Sequence, residues 1–527
     1  MVEIKDGRLI LTTRIPGERA GFLRTLPDAR QGRKDRCKWT CTATPITALR
    51  IMVEGFDVNS EVNLLALRGK QFFGDFQACR VPMKLPPLPH QVDAFNSMVE
   101  RHAGMLAMDM GTMKSAVTIA LANSWLADQV LILCPKSVIG VWRREFEKHS
   151  PLPYDVVCLD QSTMDRKLTT LEEANGPQCA VVANYESAWR EPLFDRLKNR
   201  DCDLMVCDES HRIGKHGSKQ SKAAYRLGLT AKRRLCLTGT PMGNNPLDLF
   251  GQFRFLDSGI LGTNYGDFSR KYAVFNEMFP SKVDRWINQE ELNGIYQQYS
   301  FRVMAGDVLD LPKAMHETRK FELSKEARTL YDQLEEELIT EIAAGVITAE
   351  NALVRLLRLQ QITSGHIKDD TDKIHEFESG KEAVLADILT DVNEPVVVAC
   401  RFRHCLQSVQ MVARKLGLHY GEVSGRRRDG LDDMGRMAEV DVCGVQIDSG
   451  AEGIDLTRSR LCVLYSIGFR LDKYDQMLAR ILRPGQERPC VFYRLVAKNT
   501  VDHSLYRAIE KKREIISYIL EEWQPEK

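Results

Sequence analysis

Lys114 and Ser115 stand side by side at the end of DMGTMKS (Asp109–Ser115), directly after the apolar run MLAMDM. A tight loop that opens a helix presents backbone N–H groups to phosphate oxygens. There Lys114 would neutralise β/γ charge and the Ser115 hydroxyl would ligate Mg2+. Gly111 and Thr112 belong to the same loop, and Met113 occupies the place where glycine normally permits close backbone approach. Alone, the stretch reads equally well as a surface turn. Asp208 and Glu209 of CDESH follow the apolar run DLMVC. A strand-end aspartate can hold magnesium through water while its neighbour polarises the attacking water; alone, the pair reads as a solvated loop with a helix cap. LTGTP then offers Thr238 and Thr240 as hydroxyl donors around Gly239, suited to relaying nucleotide state. Arg480 and Arg483 in QMLARILRPGQ lie three apart, hence on one helix face. They can stabilise charge on a transferring phosphoryl group, or form a solvated basic helix. Gln91 in LPHQ could read an adenine edge. In this order the pieces are the parts of an ATP-driven motor that moves on nucleic acid.

The elements that must position these groups follow from hydrophobic patterning. Residues 85–316 alternate helical stretches with the runs MLAMDM, VLILCP, CAVVANY, DLMVCDES and RRLCLTGTP. Such runs, bounded by turns, read as buried parallel strands, and open α/β sheets place ligands at strand C-terminal ends. A second series, PVVVACRF, GVQIDSG, LCVLYSIG and CVFYRLVA, predicts another α/β lobe within 317–527, with charged helical sequence inserted at 322–365. Residues 1–84 mix strand-like runs (RLILTTRI, KWTCTAT) with a helical stretch (PITALRIMVEG) and close on the proline-rich break MKLPPLPH. The expected fold is α/β: two parallel-sheet lobes with helical insertions, plus a small N-terminal α+β accessory domain.

Bulk composition narrows the function classes. The 527 residues suffice for about three domains. The formal net charge of +1 excludes a uniformly basic surface, so nucleic acid would be held in a local groove. No apolar run reaches the ~20 residues of a membrane span, and the charged start MVEIKDGRLI is not a secretory signal. The 14 cysteines include no C-x-x-C pair, which argues for reduced thiols over structural zinc. A cytoplasmic setting is expected, or the nucleus in a eukaryote.

Beyond the ATP motifs, the chain resembles superfamily 2 helicases and, within them, the SNF2 family of DNA-stimulated ATPases. The resemblance rests on PLDLFGQFRFLDSGILGTNYGDFSRKY after LTGTP, on FRVMAGDVLDLPKAMHETRKFELSKEARTLY, and on LLRLQQITSGHI, SGAEGIDLTRSR and QMLARILRPGQ. It covers roughly residues 85–520. It implies that the two parallel-sheet lobes are RecA-like, with ATP and Mg2+ in the cleft between them and Gln91, Gly111, Thr112, Met113, Lys114, Ser115, Gly453 and Asp455 around the nucleotide. It implies Ser115 and Asp208 on the metal, and Lys114, Asp208, Glu209, Arg480 and Arg483 in catalysis. Pro135, Lys136 and Ser137 (CPKS), Asn184 and Tyr185 (ANYES), Ser424, Ser449, Gly450 and Gly453 would face the DNA backbone. His211, Thr238, Gly239, Thr240 and Gln476 would couple the lobes. Asp455 replaces the family's commoner asparagine.

The stretch RTLPDARQGRKDRCKWTCTATPITALRIMVEGF resembles the small HARP-type domains of annealing helicases at Leu26-Pro27, Ala29-Arg30, Trp39 and the helix near Pro45. Its basic cluster with Trp39 could bind DNA by charge and stacking, or be a solvated turn beside a core tryptophan. Lys232–Arg234 would flank a buried strand, Arg426–Arg428 could line a DNA groove, and His404 reads as a surface or packing residue. The resemblance implies a minimal bacterial or phage-type motor on duplex or branched DNA rather than RNA. A strand-separating helicase, the motor of a nuclease or restriction assembly, and a nucleotide-gated switch with slow turnover are the alternatives.

Overall fold

Near-continuous apolar runs became the centre of both sheets, because strands buried on two faces cannot alternate with polar residues. A computed structural model describes residues 2–12, 20–23, 26, 29–32, 35, 37–70, 81–174, 176–242, 245–277, 283–343, 349–369, 373–433, 435–450 and 453–521. Its contacts divide the chain into two units, Met1–Val308 with Ile516–Lys527, and Leu309–Ile515. Among the described residues no helix is long and apolar enough to cross a membrane.

The first unit begins with a four-stranded antiparallel sheet of β1 (Val2–Lys5), β2 (Arg8–Thr12), β3 (Arg30–Gln31) and β4 (Lys38–Thr42), ordered β1-β2-β4-β3. Helices α1 (Pro45–Val53) and α2 (Ser60–Lys70) pack on it. Thr44 caps α1 by accepting from the Thr47 N–H at 3.1 Å, and Pro45 sits in the first turn, where its missing N–H costs nothing. Val2, Leu9, Leu11, Trp39, Ile51 and Val62 form the core of this domain. Trp39 is buried, which corrects the stacking alternative: its ring closes the core and is not offered to DNA. Of the HARP-like points, Leu26, Ala29 and Arg30 are described, while Pro27 and Arg33, Lys34 and Arg36 of the basic cluster lie outside the described residues.

The accessory domain clusters with the lobe that follows it instead of standing apart. At the junction the buried Asp257 carboxylate takes a hydrogen bond from Thr44. Burial raises its pKa, but His102, Arg234 and Thr44 outweigh this and hold the carboxyl below its ordinary value.

The lobe comprises α3 (Pro89–Met98), β5 (Ala103–Met108), α4 (Lys114–Ser124), β6 (Gln129–Cys134), α5 (Ile139–His149), β7 (Asp155–Cys158), β8 (Cys179–Asn184), β9 (Cys202–Asp208), β10 (Ala231–Leu237), α6 (Leu249–Leu256) and β11 (Ser300–Val303). Its seven strands are all parallel and run β11-β5-β10-β9-β6-β8-β7. Every residue of β5 and β8 is buried. Lys232–Arg234 lie at the start of β10 and are structural: Lys232 pairs with Asp203 at 2.7 Å, Arg233 lies over Trp125 at 4.5 Å, and Arg234 is half-buried and interacts with the Asp257 charge.

The second unit holds β12 (Ala314–Phe321), α7 (Lys325–Ala343), α8 (Ala349–Thr363), α9 (Lys381–Asp391), β13 (Val396–Cys400), α10 (Arg403–Lys415), β14 (Tyr420–Val423), β15 (Val442–Gln446), β16 (Leu461–Leu464), α11 (Leu471–Leu478), β17 (Cys490–Ala497) and α12 (Val501–Glu521), which runs past its end. Its six strands are again all parallel, in the order β12-β17-β16-β13-β15-β14. The expected break at 316/317 falls inside β12, which pairs with β17 along its whole length; the chain divides at 308/309 instead. Helices α7 and α8 pack on each other. His404 is buried, 4.6 Å from the His366 ring and 3.5 Å from Glu376, so it is a packing residue.

Candidate active site

In the first unit the chemistry-bearing loops leave neighbouring strands of one sheet edge. β5 ends at Met108 and α4 starts at Lys114; the loop between them turns on Gly111 (φ 85°) and Met113 (φ 60°). Met113 therefore adopts the left-handed conformation that glycine takes freely, at a cost of roughly 1–2 kcal/mol for a residue with a Cβ. Two contacts brace the loop. Thr112 donates its hydroxyl to the Asp109 carbonyl at 2.6 Å, and the buried His90 ring lies 3.1 Å from the Thr112 carbonyl oxygen. Asp109 accepts the Ala305 N–H at 3.0 Å, which fastens the loop to the chain leaving β11.

Lys114 Nζ lies in the mouth of this loop, donating to the carbonyls of Met108 at 2.8 Å and Asp109 at 3.3 Å. A charged amine held on two weak acceptors is readily recruited by phosphate. Ser115 Oγ donates to Glu145 Oε2 on α5. Gln91 is buried: its Oε1 accepts the Leu88 N–H at 2.8 Å, and its Nε2 has no hydrogen-bond partner, leaving a donor for a ligand edge.

Asp208 is the last residue of β9. Its Oδ1 accepts the Glu209 N–H at 2.9 Å and its Oδ2 accepts the Trp142 indole N–H at 3.1 Å. Burial, then the adjacent Glu209 charge, pushes the Asp208 carboxyl up to about 7 against the pull of Lys114. Glu209 sits at φ 49°, another left-handed non-glycine residue. Its buried Oε2 makes no hydrogen bond, and His211 Nδ1 stands 3.5 Å away. Such strain and an unsatisfied carboxylate are features of functional sites.

The LTGTP turn lies against the phosphate loop. A Cβ on Gly239 would be 3.4 Å from Asp109 Cα and from the Met108 carbonyl oxygen. Thr238 Oγ1 accepts the Thr240 N–H at 3.0 Å, while Thr240 Oγ1 is buried without a partner. Gln252 joins this turn to the acidic loop, accepting from Ser210 Oγ at 2.7 Å and donating to the carbonyls of Pro241 and Asp248.

The residues expected to face the polymer divide. Lys136 is exposed in the short turn Lys136–Val138 between β6 and α5, with Pro135 before it and Ser137 half-buried. Asn184 is buried, held by Ser187 and Glu186. Tyr185 corrects the expectation: its side chain is 1% exposed and its hydroxyl donates to the Asp208 carbonyl at 2.6 Å. It braces the acidic strand end and presents nothing to a polymer.

In the second unit, Arg480 and Arg483 are not carried on a helix. α11 ends at Leu478, and Pro484 disfavours helical backbone at Arg483, so both arginines ride the turn that follows. The structure joins this turn to the Gly453–Asp455 segment. Leu456 N–H donates to the Arg480 carbonyl at 3.0 Å, and Arg483 donates to the Ile454 carbonyl at 3.2 Å while standing 3.9 Å from Asp455 Oδ2. Asp455 accepts from both N–H and hydroxyl of Thr457. Gln476 is buried, its Oε1 taking the Lys473 ammonium at 3.2 Å. Ser424 is buried and donates to Glu422 at 2.7 Å. Ser449 and Gly450 close the short helix Ile447–Gly450. Arg427 pairs with Asp429 and Glu422, leaving Arg426 and Arg428 exposed.

Sequence reasoning missed Trp142, Glu145, His90 and Gln252. The signal for Gln252 was available: one amide which, with Arg254, interrupts the mostly apolar LFGQFRFL. The residues present fit a nucleotide with Mg2+, which takes one or two protein oxygens and completes its shell with phosphate and water. Ser115 and Asp208 would hold it. Among the described residues no group of three or more His, Cys, Asp and Glu could hold a metal with protein ligands alone.

An all-parallel sheet with a phosphate loop, an acidic strand end and a threonine turn on one edge, followed by a second parallel sheet with an arginine turn, defines a two-lobed nucleotide hydrolase. Two family descriptions match, the SNF2-related domain over residues 35–366 and the helicase conserved C-terminal domain over 380–485. The chain belongs to the SNF2 family of ATP-dependent helicases and translocases, and is a DNA-dependent ATPase of that family.

It is similar to the Bacillus subtilis (strain 168) protein named uncharacterized ATP-dependent helicase YqhH, 23% identical over 85% of this chain and 82% of that protein. Protein p41 of Acyrthosiphon pisum secondary endosymbiont phage 1 is 26% identical, over 82% of this chain and 98% of p41. A Caenorhabditis elegans homolog of SWI/SNF-related matrix-associated actin-dependent regulator of chromatin subfamily A-like protein 1 is 25% identical, over 90% of this chain and 67% of its own length. Among solved structures, the Sulfolobus solfataricus SWI2/SNF2 ATPase core in complex with dsDNA is 24% identical, covers 84% of this chain and 95% of its own, and has a TM-score of 0.40.

Proposed function

We propose that the chain is a translocase that steps along duplex or branched DNA in replication or repair, using ATP. Gln91 Nε2 reads the base edge, and the phosphate loop with Lys114 and Ser115 grips the triphosphate. Ser115 and Asp208 would hold Mg2+, whose charge would screen the phosphates. Glu209 orients the attacking water and takes its proton, and Arg480 and Arg483 stabilise charge on the transferring group. The turn at Pro135–Ser137 grips the DNA backbone, a sequence-independent contact suited to movement.

The observation that carries this reading is the Glu209 oxygen, buried without a hydrogen-bond partner on the strand end whose Asp208 feels the Lys114 charge. A nucleotide-gated switch would have no use for a poised base. Relatives named for DNA repair and recombination, such as RDH54 of Saccharomyces cerevisiae (24% identical), support a repair substrate, although this chain spans 45% of that protein.

Triplex displacement tests the proposal. A third strand annealed to duplex DNA should be released with ATP and retained with a non-hydrolysable analogue. ATP hydrolysis without displacement on any duplex or branched substrate would refute movement.

A further inference from the structure

One face of α5 touches both residues assigned to the metal. Trp142 and Glu145 are three residues apart on this helix and so project from the same side. The Trp142 indole N–H reaches Asp208 Oδ2 at 3.1 Å, and Ser115 Oγ reaches Glu145 Oε2 at 2.5 Å. The helix is anchored by Ile139, Trp142, Phe146 and His149, all buried, and His149 Nε2 stands 3.8 Å from the Glu145 carboxylate. Neither Trp142 nor Glu145 lies in the phosphate loop or the acidic loop; a third element holds the groups that those two loops present.

We propose that Glu145 and Trp142 are positioning residues for the metal site, a reading that rests on the nucleotide-hydrolysis assignment above. A serine hydroxyl has one proton and two acceptor lone pairs. With its proton committed to Glu145, Ser115 keeps both lone pairs, which a hard cation would take. Donation to a carboxylate also makes the oxygen a better ligand. Trp142 does the matching work on Asp208: one N–H fixes the carboxylate plane, and Oδ2 keeps a free lone pair. Because α5 begins immediately after the turn carrying Lys136, the same helix connects a polymer-facing turn to both metal ligands.

Metal uptake by the full-length chain tests this, read with Mn2+ by electron paramagnetic resonance in the presence of a non-hydrolysable ATP analogue. Outer-shell partners of this kind change metal affinity by about 10–100-fold. Glu145→Ala should raise the half-saturating Mn2+ concentration within that range. Trp142→Phe should raise it less, and Glu145→Gln, whose amide oxygen still accepts, should fall between parent and alanine. Binding of the analogue in EDTA should change by less than ~2-fold, which separates metal positioning from lost packing. In a Ser115→Ala background Glu145→Gln should add nothing, because the pair acts as one unit; this cycle decides the matter if the alanine variant does not fold. An unchanged or tighter Mn2+ midpoint in Glu145→Ala, or additive effects in the cycle, overturns the positioning role alone. A parent chain that takes up no Mn2+ with nucleotide overturns the hydrolysis reading and this proposal together.

Discussion

The two sheets share parallel architecture but hold their chemistry differently. In the first unit the site is cross-braced: Thr112 to Asp109 within the phosphate loop, and between segments Asp109 to Ala305, Trp142 to Asp208, and Gln252 to both Ser210 and Pro241. Among the groups left without a hydrogen bond are Gln91 Nε2, Glu209 Oε2 and Thr240 Oγ1, polar atoms that a nucleotide and its attacking water could use. In the second unit the arginine turn is tied mainly to its own lobe, with Arg483 on the Ile454 carbonyl and beside Asp455. The first unit holds its candidate site by hydrogen bonds between segments, and the second holds Arg483 on groups of its own unit. Preorganised donors lower the cost of reaching the transition state; under the proposed reaction Arg483 would have to exchange the Ile454 carbonyl for phosphate before it could act.

The largest effect expected in the first unit comes from Glu209, whose Oε2 makes no hydrogen bond. Glu209→Gln should lower DNA-stimulated phosphate release by about 10²–10⁴-fold while leaving nucleotide binding within a few-fold, the range for a general base. Filter binding alongside a phosphate assay reads both. Parallel loss of binding would mean that Glu209 shapes the loop instead of activating water.

How much of this was legible follows from the kind of signal each lobe carries. DMGTMKS, CDESH and LTGTP sit at strand ends in the first unit, and buried parallel strands announce themselves as apolar runs. What could not be read were the braces: Trp142 and Glu145 look like ordinary members of an amphipathic helix, and their partners are 66 and 30 residues away. Tyr185 misled because a motif match fixes position along the chain, not the direction of a side chain at a strand end. Arg480 and Arg483 were placed on a helix because their spacing suits one, and the Pro-Gly that follows was the overlooked stop signal.

A smaller effect sharpens the contrast from the second unit. Burial first, then the neighbouring His404, lowers the His366 imidazole from 6.5 to about 4. The unfolded chain takes up this proton near 6.5 and the folded chain only near 4. The stabilisation is therefore whole above pH 6.5 and is lost progressively as pH falls toward 4. At one pKa unit per 1.36 kcal/mol the full loss is roughly 3 kcal/mol. Thermal melts of the parent between pH 7 and 4 should show a steeper decline than those of His366→Gln. Equal slopes would show that His366 is not buried as a neutral ring.

The smallest effect concerns the loop itself. Met113→Gly removes the left-handed strain of a Cβ-bearing residue, worth about 1 kcal/mol. Glycine also gains unfolded-state freedom, which offsets part of that. The melting temperature should move by no more than a few degrees, and phosphate release should stay within ~5-fold of the parent. A loss beyond tenfold would show that the methionine side chain contacts the nucleotide.

The division of labour between the lobes is tested most directly by comparing nucleotide affinity with single-turnover hydrolysis in Arg480→Ala and Arg483→Ala, with duplex DNA present. Arginines acting only on the transferring group are worth about 10³-fold or more in rate. We expect Arg483→Ala to bind ATP within ~3-fold of the parent and to hydrolyse it at least ~10³-fold more slowly, with Arg480→Ala showing the same pattern. Hydrolysis at the parent rate in both variants, or a loss confined to ATP affinity, would contradict it.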